Sequence, residues 1–133
     1  MKTVNPFLLH ELLAPITGLA DDAVAVEAYS RLDTNDERQI KEVIRRELKP
    51  YYCSLNEQVR KRAKFALSYY LSKPSADFAR VFESCLPPFD PPDDARQFFV
   101  WLWEEFFPTE CFELQTLREI KEVANIHEPN RYS

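Results

Sequence analysis

Ten prolines and a single glycine, Gly18, stand in this chain of 133 residues, and that imbalance limits the folds open to it. Glycine supplies the positive-φ backbone that phosphate-cradling loops and two-residue hairpins require. With one glycine the chain holds no GxGxxG or GxxxxGKS/T loop and has little means of turning one strand into the next. The prolines cut it into segments whose apolar residues recur at helical spacing. The expectation is all-α: a single helical domain over residues 1–133, packed as an irregular bundle of about six helices around a central aromatic helix at 94–107.

Most segments carry their own start and stop. Asn5-Pro6 opens a first helix with Leu8, Leu9, Leu12 and Leu13 inward, and Pro15 ends it. Residues 22–32 read as a helix with Val24, Ala28 and Leu32 inward, although Ala23-Val24-Ala25-Val26 fits a strand as well. Thr34 with Glu37, and Ser54 with Glu57, match the capping box of a hydroxyl and an acid three residues on. The first of these helices buries Ile40, Val43, Ile44 and Leu48 and stops at Pro50. The second, the basic helix 54–72, buries Leu55, Val59, Ala63, Ala66, Leu67 and Tyr70. Ser75 caps a short helix with Phe78, Val81, Phe82, Cys85 and Leu86 inward. Residues 87–92, Pro-Pro-Phe-Asp-Pro-Pro, form a stiff extended connector. Asp93 or Asp94 caps the aromatic helix and Pro108 stops it. Thr109 then opens a last helix with Leu114, Leu117, Ile120 and Ala124 inward, followed by a frayed tail at 128–133.

The formal charge of −5 is unevenly spread: −3 over residues 1–35, +4 over 36–64 and −6 over 65–133. Long polyanions favour a net basic footprint, so this pattern fits a charged protein partner better than a nucleic acid. Cys53, Cys85 and Cys111 are odd in number and far apart, which argues against a disulfide framework and for the reducing cytoplasm. Pro6, His10, Glu11 and Pro15 interrupt the N-terminal apolar stretch, unlike a secretory leader. No run approaches the roughly 18 apolar residues that span a bilayer.

Two constellations are candidates for binding. Trp101 projects between Glu104 and Glu105, opposite the face made by Phe98, Phe99, Leu102, Trp103, Phe106 and Phe107. It is either a core residue under the connector or the final helix, or an exposed anchor in an acidic rim, the composition of an interface hot spot. Phe65 and Tyr69 project among Lys61 and Arg62, away from the apolar stripe of helix 54–72. They either pack under neighbouring elements or serve a protein or nucleic-acid interface. A catalytic alternative pairs Cys53 or Cys111, both placed near expected helix N-termini that favour thiolates, with His10 or His127. No CxxC, HExxH or EF-hand spacing occurs, so neither metal nor cofactor is expected. The leading expectation is a non-enzymatic protein-binding module of inhibitor, immunity or adaptor type. A nucleic-acid factor using helix 54–72, or a small Cys/His enzyme, is the alternative.

Overall fold

Buried at Phe98, Phe99, Trp101, Leu102, Trp103 and Phe106, the helix α6 (Ala95–Phe106) is dry on nearly every side, and three of the five other helices, those over residues 37–54, 57–72 and 78–84, pack against it. The computed structural model describes residues 2–125. Along the chain these are β1 (Lys2–Val4), α1 (Phe7–Leu12), a 3₁₀ turn at Ala14–Ile16, α2 (Ala23–Ala28), α3 over residues 37–54, α4 (Glu57–Ser72), α5 (Phe78–Ser84), α6 and β2 (Ile120–Glu122). The mostly helical bundle is thus as the sequence predicts, with one small addition: β1 and β2 pair in parallel, Lys2 opposite Ile120 and Val4 opposite Glu122. Among the described residues, no helix is long and apolar enough to cross a membrane. The expected frayed tail, 128–133, lies outside them.

Ring packing explains the arrangement. Phe99 meets Phe78 of α5 at 4.7 Å, Phe98 meets Phe82 at 5.1 Å, and Phe106 stacks on Tyr52 of α3 at 4.8 Å. Each fully buried aromatic contributes about 1.5–3 kcal/mol relative to exposure, so these contacts dominate the core. The leucines of α1 (Leu8, Leu9, Leu12) with Leu13, the Ile40–Leu48 stripe of α3, and Val59, Ala63, Ala66, Leu67 and Tyr70 of α4 are all buried as their spacing requires.

Several local expectations are corrected. Pro50 does not end its helix; α3 runs through it. Residues Ile44–Leu48 form a π-helical turn between the α-helical pieces Glu37–Val43 and Lys49–Ser54. Pro50 has no N–H to donate, and in α-register its ring would collide with the carbonyl of Arg46. The wider π turn just before it opens that space while keeping Ile44 and Leu48 buried. The caps at Thr34, Ser54 and Ser75 are likewise displaced by two residues, to Asp36, Asn56 and Asp77, while Asp94 caps α6 as expected. Asp and Asn carry a planar acceptor group that reaches N2 and N3 amides at least as well as a hydroxyl. Ser54 instead donates to the Tyr51 carbonyl inside α3.

The last predicted helix does not form. After Thr109 the chain is irregular to Glu119, because α4 and β1 take its hydrogen bonds. Ser68 and Ser72 donate to the Phe112 carbonyl, the Leu114 amide donates to Ser72 Oγ, and the Lys2 amide donates to the Glu119 carbonyl. Leu114, Leu117 and Ile120 therefore rest on the core without helical geometry, and Ala124 is exposed. Asn5, wholly buried, locks the two ends: its Nδ2 donates to the Asn125 carbonyl at 2.7 Å and its Oδ1 accepts from the Asn125 amide at 3.2 Å. Of the stripe expected over residues 22–32 only Leu32 rests against the core, since Val24 is 81% exposed and Ala28 faces water. Leu86, expected inward, is 55% exposed.

Glu122 clamps β2 to α4. Its carboxylate accepts from Lys73 Nζ at 2.8 Å and Tyr70 Oη at 2.7 Å, with Tyr69 Oη at 3.4 Å. The Lys73 ammonium first, then the Tyr70 hydroxyl, hold its carboxyl below the ordinary value of 4.5. A depressed folded pKa gives stabilisation that is present above the unfolded value and lost as pH falls through the folded one. The amides of residues 120–122 should therefore lose exchange protection on acidification below 4.5. Glu122→Gln should show weaker protection at neutral pH and no further acid loss from this group. Protection factors in wild type that ignore acid would refute the clamp.

Candidate functional site

The two aromatic outliers of the sequence are mostly core. Trp101 is only 5% exposed and so is no surface anchor; its Nε1 donates to Glu37 Oε1 at 3.1 Å beneath the end of the connector at Pro92. Trp101, opposite the main face of α6, is buried because the start of α3 covers it, a contact invisible to a helical projection. Tyr69 is equally buried, since residues 110–122 lie across the outer face of α4. Phe65 is half-buried, with Lys2 Nζ over its ring at 5.4 Å.

The charged candidates are occupied as well. Glu104 pairs with Lys41 at 3.0 Å and Glu105 with Arg45 at 2.7 Å, joining α6 to α3, so neither forms an open acidic rim. Lys61 pairs with Glu57, and Arg62 reaches the Thr3 carbonyl of β1 at 2.7 Å. Elsewhere on the basic surface Arg46 meets Glu42 and Glu47, Lys64 meets Glu110, and Arg60 donates to the Cys53 carbonyl. A phosphate backbone would have to displace these carboxylates before it gained counterion release. Of the four cations of the basic helix, Lys61 and Lys64 thus meet carboxylates, while Arg60 and Arg62 donate to backbone carbonyls.

An imidazole and a thiol do meet, but not at the cysteines expected. His10 Nδ1 lies 3.5 Å from Cys85 Sγ and 3.4 Å from Ser84 Oγ. Cys85 is 1% exposed; burial pushes its thiol pKa up and lowers that of His10. Both shifts favour the neutral forms, the reverse of a thiolate–imidazolium nucleophile. Cys53 lies in the last turn of α3 and Cys111 in irregular chain, so neither occupies the helix N-terminus on which the catalytic argument rested. His127 lies outside the described residues. Among those described, no group of His, Cys, Asp and Glu is gathered to hold a metal.

The surface left unexplained is one the sequence misassigned. Between α2 and the proline connector runs an open groove of about 440 Å³, walled by Val26, Tyr29 and Leu32 on one side and by Pro88, Phe89 and Asp90 on the other. The Tyr29 and Phe89 rings touch at 5.2 Å across its floor. Beside it stand two exposed apolar side chains, Val26 at 40% and Leu86 at 55%. No residue of α2 is fully buried. The groove is closed at one end by a backbone clasp, with the Gly18 amide donating to the Cys85 carbonyl at 2.7 Å and the Ala20 amide to the Leu86 carbonyl at 2.9 Å. Gly18 and Leu86 have φ of 78° and 50°, and among the described residues they are the two with positive φ. Glycine adopts this conformation freely, whereas a leucine pays a steric penalty of about 1–2 kcal/mol. The sequence signal was present in the Ala-Val-Ala-Val run, apolar on all sides yet too short to bury itself, and in a bulky residue standing where a helix C-terminus favours glycine. Compared with known protein families, with curated proteins and with solved structures, the chain matches none.

Two outcomes check this assignment of core and surface. Trp101→Ala should destabilise the fold by about 3–5 kcal/mol in urea unfolding, as large core truncations do. Glu104→Ala, which removes one exposed ion pair, should change it by less than about 1 kcal/mol. With iodoacetamide under native conditions Cys53 and Cys111 should be modified, with Cys85 reacting only in denaturant; fast native labelling of Cys85 would contradict its burial.

Proposed function

We propose that this protein is a non-enzymatic protein-binding module, of inhibitor, immunity or adaptor type, whose working surface is the groove between α2 and the 87–92 connector. One observation carries the reading: Leu86 is held exposed in a left-handed backbone, next to the lining residue Pro87 and near exposed Val26, in a fold that buries most of its large apolar side chains. Strain kept at a solvent-facing apolar residue is the pattern of a contact surface, where a partner removes from water what the free protein leaves wet. Thr34 Oγ1 donates to the Pro91 carbonyl at 3.4 Å and the Asp93 amide to Asn35 Oδ1 at 2.8 Å, so the connector wall is tied to the chain after α2 before any partner arrives. Such preorganisation lowers the ordering cost of docking. Three cysteines without a disulfide fit a reducing compartment such as the cytoplasm.

Leu86→Gly separates stability from binding. Relief of the left-handed strain should leave stability unchanged or raise it by about 1 kcal/mol. Loss of the side chain should weaken retention of partners by about fivefold or more, because central apolar anchors commonly contribute over 1 kcal/mol. The measurement is thermal unfolding of wild type and variant beside quantitative affinity capture from the native cell. If wild type retains no partner saturably, the module reading falls.

A further inference from the structure

We infer that the segment received by this groove is cationic: a stretch of a partner protein in which a large apolar side chain is flanked by lysine or arginine. The inference rests on the binding-module reading above and adds the chemistry of what binds. Asp90 lines the groove, and no Lys or Arg does. Asp21 and Asp22 follow the lining residue Ala20, and Asp33 stands between the lining residues Leu32 and Thr34, against one cation so placed, Arg31 between Ser30 and Leu32. None of these four aspartates takes part in an ion pair among the described residues, whereas the acids of α3, α4 and α6 and those near β2 pair repeatedly. Asp22 and Asp33 are held in place by accepting local amides, those of Val24 and Ala25 and that of Asn35. A groove with Val26, Tyr29, Leu32 and Phe89 in its walls, and with these four carboxylates outnumbering Arg31 around it, favours an incoming cation over an anion, and it steers encounter as well as fixing register. A second copy of this chain is disfavoured by the same charges, since a two-fold contact would set acid against acid. A nucleic acid or an anionic lipid surface is disfavoured likewise.

The test uses the whole chain and two defined probes: a short fluorescein-labelled peptide of alternating lysine and leucine, and the same peptide with glutamate for each lysine. The lysine peptide should bind saturably in anisotropy, and salt should weaken it through screening of the rim. Asp90→Asn combined with Asp21→Asn, and separately Leu86→Gly or Val26→Asp, should weaken it by about tenfold or more. Val24→Asp should not, because Val24 is 81% exposed two positions from Val26 and so on the opposite side of α2. Amide exchange should report new protection confined to residues 20–34 and 86–90. Equal binding of the glutamate peptide, indifference to the groove substitutions, or protection mapping elsewhere overturns the inference. So does sedimentation showing that wild type dimerises and Val26→Asp does not. Partner capture that persists while the lysine peptide fails would leave the module standing and remove only the cationic partner.

Discussion

Removal of the aromatic side chains of α6 from water is the interaction on which the other elements depend. A helix with apolar groups around most of its circumference cannot lie on a surface. It must be enclosed, and the surroundings here are set by what its rings touch: Phe78 and Phe82 of α5 on one flank, Tyr52 of α3 on another. Trp103 caps the far end by donating to the Glu110 carbonyl at 2.8 Å, which fixes where the irregular chain after α6 begins its path over α4. Polar groups caught in this enclosure are matched, Trp101 with Glu37 and Ser68 with the Phe112 carbonyl, so drying the helix leaves no orphaned donor there.

The enclosure consumes most of the apolar surface but not all of it. α2 has six residues, none fully buried, and is held before its N-terminus by the Gly18–Cys85 and Ala20–Leu86 backbone bonds and at its C-terminal end by the Tyr29–Phe89 contact. Few buried contacts make an element the least stable part of a fold, and such elements are where binding surfaces are commonly drawn from. The single glycine of the chain is spent on this clasp, at a φ of 78° with no atom near enough to obstruct a side chain. Its requirement is thus conformational. Across the clasp, Leu86 adopts the same half of φ space without glycine's freedom, so the strain of the clasp falls on the leucine.

Charge follows a similar division. On α3, α4 and α6 many acids and bases meet one another, and the Lys41–Glu104 and Arg45–Glu105 pairs join α3 to α6. Around the groove acids predominate, with Arg31 the one cation directly beside a lining residue. Exposed pairs of the first kind contribute little to stability, about 0–1 kcal/mol each, and they occupy part of the basic surface that composition alone would offer to a polyanion.

Periodicity and punctuation were enough to determine the helical class, the α1, α3 and α4 stripes, the aromatic helix and the stiff connector, because a 3.6-residue repeat of apolar groups and a proline's missing N–H act within a few residues of sequence. Only the tertiary structure decided the rest. Trp101 and Tyr69 are buried by segments far away in the chain, the last segment gave up helix because Ser68, Ser72 and β1 offered its backbone other partners, and Pro50 was absorbed by a π turn. The groove was hidden for the same reason: an apolar pattern says that a face seeks cover, and whether this chain covers it depends on contacts between α2 and residues some 60 positions on.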